Sequence, residues 1–284
     1  LFVSLISSRQ ASAGMEWESA DTPPTVIELF TSEGCSSCPP AEHWLNSLLK
    51  HDQLWQEVFP LAWHVDYWDS LGWPDRFASN RYSARQRRYQ HQTTLDSVYT
   101  PGVLVNGQAW MGWRRNRTLP GSRHTAVGRL RVTVGQDEFQ AHWSPIRADH
   151  DNSDPTDPAL SDVVLHAAGL GFDLLTDVKH GENANRQLQH EFVVLSHRTY
   201  TAYTPYADTE NHNSTEKHNS TEKRNSTEKR KSWNGQLPIL RRPVEAISGK
   251  ISEKGRVQDR KALVFWIEAT ASPIPVQMVG GWFE

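Results

Sequence analysis

The sequence predicts an α/β domain followed by a mostly antiparallel β domain, on three observations. The β-branched apolar run TVIELFT, residues 25 to 31, is followed at once by a C-x-x-C and then by apolar residues at helical spacing. An Asn-Gly pair at 106 and 107 separates two apolar runs, the strongest short-range sign of a β-hairpin. From Arg129 onward the chain breaks into short alternating segments divided by turn residues, with no strong helical stretch.

TVIELFT lies between DTPP and the glycine of SEGC and reads as a buried strand. AEHWLNSLLK, residues 41 to 50, places Trp44, Leu45, Leu48 and Leu49 on one helical face. Pro39 and Pro40 suit its first turn, where the donors they lack would be unpaired anyway. VFPLAWHVDYW, residues 58 to 68, reads as a second strand. In residues 76 to 92, Phe77, Tyr82, Gln86 and Tyr89 return at helical intervals, and Arg81, Arg85, Arg87 and Arg88 read as the solvated face of an exposed helix. Val103 to Val105 and Gln108 to Met111 make the hairpin, with Pro101 just before it. Strand, C-x-x-C, helix, strand, helix, X-Pro and hairpin is the order of a thioredoxin-like domain, here residues 25–128. In that fold the bond from Thr100 to Pro101 is expected to be cis and to pack beside the cysteines.

LRVTV, FQAHW, VVLHAAGL, FDLLTDV, EFVVLSHRTYTAY and KALVFWIEAT read as strands of a β-rich domain over 129–284. Within it, three near-identical NSTEK hexads contain no apolar residue. Such a stretch cannot bury enough surface to offset its ordering entropy, so a disordered insert is expected over 207–236.

A net charge of −3 with no clustered basic excess excludes nucleic acid and acidic membrane surfaces as partners. No stretch beyond the first residues approaches the ~20 apolar residues of a membrane span. LFVSLISSRQASAG joins an apolar run to Ala-Ser-Ala at 11 to 13, the small-residue pattern of a secretory cleavage site. Residues 1–13 are therefore expected to be a signal-peptide remnant, and the location periplasmic or secreted. In such a compartment a disulfide persists.

Cys35 and Cys38 are the only cysteines in the chain. Cys35, at a helix N-terminus where unpaired donors and the dipole favour a thiolate, is the expected attacking thiol, and Cys38 the resolving one. Glu33 would oppose ionisation of Cys35 if close in space, which leaves the direction of exchange open. Pro101 is expected to wall the substrate side, with the Thr100 backbone free to bond an extended segment. His64 or Asp66, at the end of the second strand, could assist proton transfer, although such residues more often satisfy buried hydrogen bonds. Trp63, Trp68 and Trp73 suit core packing. The expectation is a thiol-disulfide oxidoreductase acting on a protein or a small thiol or disulfide, with no cofactor beyond the Cys35–Cys38 pair. Two alternatives stand beside it. One is a copper or other soft-metal site drawn from Cys35, Cys38 and His64, a zinc site needing further histidines such as His43. The other is a non-catalytic binding module with a structural disulfide, although so short a loop restrains little of the unfolded chain.

VIELFTSEGCSSCPPAEHWL, HVDYWDSLGWPDRFAS, RQRRY, VYTPGVLVNG and HGENANRQLQH, in this order, resemble the bacterial secreted family catalogued as domain of unknown function 1223. The resemblance is dense from Thr25 to Gly112 and thinner over 163–195 and 262–280. It implies a thioredoxin-like domain, a β-rich domain, export and a thiol redox role. The chain departs from the pattern at Gly102, where a larger residue such as Gln is expected after the proline.

Overall fold

The structure, a computed structural model, describes residues 14–93, 95–115, 117–121, 124–135, 138–146, 163–201, 231–236 and 260–283. The leader-like residues 1–13, the hexads and most of the 207–236 stretch lie outside these.

Strands β1 (Met15–Glu18) and β2 (Thr25–Thr31) lead to helix α1 (Pro39–Ser47), strand β3 (Val58–His64) and helix α2 (Asn80–Gln92). Strands β4 (Gly102–Val105), β5 (Gln108–Ala109), β6 (Gly128–Val134) and β7 (Glu138–Pro145) come next. Then come β8 (Val163–Gly171), β9 (Leu174–Asp177), β10 (Gln187–His190), β11 (Val193–Tyr200), β12 (Lys231–Gln236), β13 (Lys261–Ala269) and β14 (Pro275–Phe283).

Most of these elements form where local chemistry places them. Strand β2 is buried at every residue, as a β-branched run without polar alternation requires. Helix α2 begins at Asn80 rather than near residue 76, because the Ser79 hydroxyl accepts the Arg81 amide and caps it. Asn106 and Gly107 both take positive φ, 51° and 80°, and close the two-residue turn between β4 and β5.

The fold class is the correction. Strands dominate, only two α-helices occur among the described residues, and the sheets are large and mixed, so the α/β thioredoxin-like domain expected from element order is not what the chain forms. The decisive contact is at β3. It pairs in parallel with β2 on one side, and its other edge is taken by β11, with Val193 opposite Ala62 and the Ala62 amide bonded to the Phe192 carbonyl at 2.9 Å. Strands β2 to β5 therefore continue into β8, β11, β13 and β14 as one eight-stranded sheet, β14-β13-β8-β11-β3-β2-β4-β5. An unpaired strand edge is a row of unsatisfied donors and acceptors, and local sequence does not say which distant strand will cover it.

A four-stranded sheet, β1-β6-β7-β12, lies against the far end of this large one. Its last strand forms from residues 231 to 236, which fall within the stretch expected to be disordered. There Trp233 is buried and opposite Ala141, so one large apolar side chain holds a polar segment in the sheet. Strand β13 reads ALVFWI without alternation because both of its faces are covered. Ala262, Val264 and Trp266 join the core shared with α1, β2 and β3, whereas Leu263, Phe265 and Ile267 join the core facing β6 and β7.

A buried ionic cluster ties α2 to both halves of the chain. Arg85, expected on a solvated face, is buried, with Nε 2.6 Å from Glu28 Oε1 and Nη1 2.6 Å from Glu268 Oε1. It also donates to the Pro273 carbonyl, and the Tyr89 hydroxyl donates to Glu28. A buried arginine is tolerable because its donors are met by two carboxylates and a carbonyl.

Candidate functional site

Strand β2 ends at Thr31, and a tight turn carries the chain from Ser32 into α1. The Cys35 amide bonds the Ser32 carbonyl at 3.1 Å and the Cys38 amide bonds the Cys35 carbonyl at 3.2 Å. Cys38 is the N-cap of α1, with Pro39 and Pro40 opening the helix as their missing donors allow. Cys35 and Cys38 form a disulfide, their Cα atoms 5.5 Å apart. Both cysteines are buried while Ser36 and Ser37 between them are exposed, and the Ser37 hydroxyl lies 3.3 Å from Cys35 Sγ.

Thr100–Pro101 is a cis peptide. Because Gly102 pairs with Phe30, the proline stands beside the end of β2 from which the cysteine loop departs. Trp68 links the two, since its indole donates to Thr100 Oγ1 at 2.8 Å and its Cβ lies 3.2 Å from where a side chain on Gly34 would begin. Gly102, where the resemblance implies a larger residue, sits in a crowded place. A Cβ there would meet the Tyr99 carbonyl oxygen at 2.9 Å and Gln86 Nε2 at 3.1 Å.

Behind the cysteine loop lies a buried polar cluster. His64, at the end of β3 and opposite Thr31, has its Nδ1 2.6 Å from Asp75 Oδ2. The same Asp75 oxygen accepts the Glu33 amide at 2.8 Å. The Glu33 carboxylate is fully buried, accepts from the Trp73 indole at 2.7 Å, and puts Oε1 3.3 Å from His190 Nε2. His190 Nδ1 is 2.5 Å from Glu42 Oε2, and the Thr31 hydroxyl donates to Glu42 Oε1 at 2.5 Å. Burial alone would discharge His190, but the charges of Glu42 and Glu33 outweigh it and hold the imidazole at about 10. Glu42 moves the opposite way for the same reason: burial raises it, and the His190 charge brings it below its usual range.

Of the residues singled out in the sequence, Cys35, Cys38, Glu33 and His64 meet here, and Thr100 and Pro101 stand beside them. Asp66 does not join. Its carboxylate accepts from the Ser83 hydroxyl at 2.5 Å and its amide bonds the same oxygen, so it serves the junction with α2. His43 lies elsewhere, on a cleft of about 500 Å³ lined with Trp44, Trp113, Arg114 and Arg117 on the outer side of α1.

Sequence reasoning missed Glu42, Asp75, Glu182, Asn183 and His190. The last three belong to HGENANRQLQH, a run noted for resemblance without a chemical role. Asn183, fully buried in the loop between β9 and β10, donates through Nδ2 to the carbonyls of both Glu33 and Cys35 at 2.9 Å. Glu182 accepts the Ser36 amide at 3.0 Å, and its bonds from Ser36 lower its carboxyl below the usual range. The signal available was an acid and an amide, Glu182 and Asn183, in a turn within an otherwise β-rich region, with His190 on the strand that follows.

The family described as "Protein of unknown function (DUF1223)" matches residues 26–231. Two solved structures align over most of the chain. One is a crystal structure of a protein from Agrobacterium tumefaciens, 21% identical, covering 91% of this chain and 94% of that one, with a TM-score of 0.49. The other is HBP35 of Porphyromonas gingivalis, 10% identical, covering 93% and 76%, also with a TM-score of 0.49. No curated protein matches the chain.

Proposed function

The chain belongs to the family of proteins of unknown function DUF1223, and for this member we propose thiol-disulfide exchange through the Cys35–Cys38 pair. The observation that carries the proposal is a disulfide closing so short a loop at a helix N-terminus, with two exposed serines between its cysteines. Such a loop contributes little as a staple, and a helix N-terminus stabilises the thiolate that reduction releases.

In the reducing direction, the Cys35 thiolate attacks one sulfur of a substrate disulfide, whose second sulfur leaves as a thiolate. The Cys38 thiolate then attacks Cys35 Sγ, closing the protein disulfide and releasing the other substrate thiolate. Two electrons pass to the substrate and two protons complete its thiols. The reverse sequence oxidises a dithiol. Electrons reside on the cysteines, so no organic cofactor is invoked. Because Cys35 is covered in the disulfide state, exchange requires the loop around it to open. While the disulfide is intact neither sulfur can serve as a thiolate ligand, which favours exchange over a soft-metal site at the cysteines.

The test is a glutathione redox titration of the folded protein with thiol alkylation. Reversible reduction is expected, with Cys38→Ser accumulating mixed disulfides and Cys35→Ser accumulating none. A disulfide that resists dithiothreitol until the protein unfolds would make it a staple. Thiol reactivity without mixed-disulfide capture would point to a binding module.

A further inference from the structure

We propose that Glu42, His64 and His190 form a buried divalent-cation site, and that zinc(II) is the ion their donors suit. One donor atom from each of the three lies within 4.8 Å of those of the other two. All three side chains are buried, His64 and His190 almost completely.

The hydrogen bonding around them points to a shared ligand. His64 spends Nδ1 on Asp75, which leaves Nε2 as the nitrogen it can offer. That nitrogen has no hydrogen-bond partner in the protein. His190 Nε2 and Glu33 Oε1 face each other at 3.3 Å as an ion pair, outside good hydrogen-bond geometry. An unsatisfied buried polar atom costs ~1–3 kcal/mol, so His64 Nε2 needs a physical account. A cation bound by the two imidazoles would give His64 Nε2 its partner and replace the Nε2 proton of His190.

The second layer fits as well. Metal-ligating histidines are held by a carboxylate on the opposite ring nitrogen, which fixes the tautomer and raises basicity. Asp75 stands in that position behind His64, and Glu42 behind His190. For His190 Nε2 to take the cation the proton on that nitrogen leaves, while Nδ1–H stays on Glu42 Oε2 and Glu42 offers its other oxygen, so binding releases a proton. Glu33, Glu42 and Asp75 set three buried carboxylates against two imidazoles, with Arg76 contributing charge to Glu33 and Asp75 from the surface. A divalent ion offsets that excess. Two histidines and a carboxylate are donors of borderline softness that suit zinc(II) and leave a coordination position open. No sulfur is involved, so the site stands independently of the thiol-exchange reading and differs from a metal set drawn on Cys35, Cys38 and His64.

The test is to refold the full chain with zinc(II) or cobalt(II), remove excess metal, and measure bound metal together with the cobalt visible spectrum. About one ion per chain is expected, with cobalt bands of a low-symmetry nitrogen-oxygen site. His64→Gln and His190→Gln should each lower the stoichiometry several-fold, while the Cys35→Ser, Cys38→Ser double variant keeps it. Folded wild-type protein without bound ion overturns the proposal, as does an ion lost with the cysteines and kept in His64→Gln. If a histidine variant does not fold by circular dichroism, histidine nitrogen NMR of the wild type decides. Zinc(II) should shift the ring signals of His64 and His190, and unchanged signals with excess zinc(II) overturn the site.

Discussion

His166 shows how burial sets the chemistry of a single residue. Its ring stacks on Trp266 and His197, with Nδ1 3.0 Å from His197 Nε2, and burial outweighs the pull of Glu268 to bring it from 6.5 down to about 4. In the unfolded chain the imidazole takes up its proton near the ordinary value, so between those two pH values the unfolded state holds more protons than the native one. The stabilisation is present above 6.5 and declines as pH falls towards about 4. His166→Gln should flatten that decline by on the order of 3 kcal/mol, read from urea unfolding across the window. At the same scale, Gly102 was visible in the sequence as a departure from a pattern. The crowding there was not, because the crowding atoms belong to Tyr99 and Gln86.

Among the elements, the turn between β9 and β10 clamps the cysteine loop. Asn183 satisfies two backbone carbonyls that flank Gly34, and Glu182 holds the Ser36 amide. Asn183→Ala would leave both carbonyls buried without that donor, which should destabilise the protein by ~1–3 kcal/mol in chemical denaturation. The loop would also open more readily, so the Cys35–Cys38 disulfide should be reduced faster by dithiothreitol, as alkylation kinetics would show. An unchanged reduction rate would mean that the turn does not govern access. The strand, the proline-led helix and the Asn-Gly hairpin were legible because each is specified within a few residues of chain. The clamp was not, since Asn183 and Cys35 are separated by 148 positions and nothing local relates them.

At the scale of the whole molecule, the sheet makes residues 25–128 dependent on the strands C-terminal to them. Phe192 and Val194 from β11 and its approach, with Val264 and Trp266 from β13, fill the core that α1, β2 and β3 share. Each such side chain buried contributes ~1.5–3 kcal/mol, and β11 also pairs the edge of β3. A fragment of residues 14–128 should therefore lack a cooperative unfolding transition by circular dichroism and should self-associate through the exposed edge. A monomeric fragment with a sharp transition would show that the N-terminal half carries a sufficient core of its own.

The sequence by itself determined the cysteine pair and its helix, the hairpin, many of the strands and the family, because spacing, turn chemistry and apolar runs act over short distances. The tertiary structure decided the fold class and the surroundings of the cysteines. Which strand takes the open edge of β3, and which acids and histidines meet behind the disulfide, depend on residues far apart in the chain. Their cost of burial is met only when all of them arrive together.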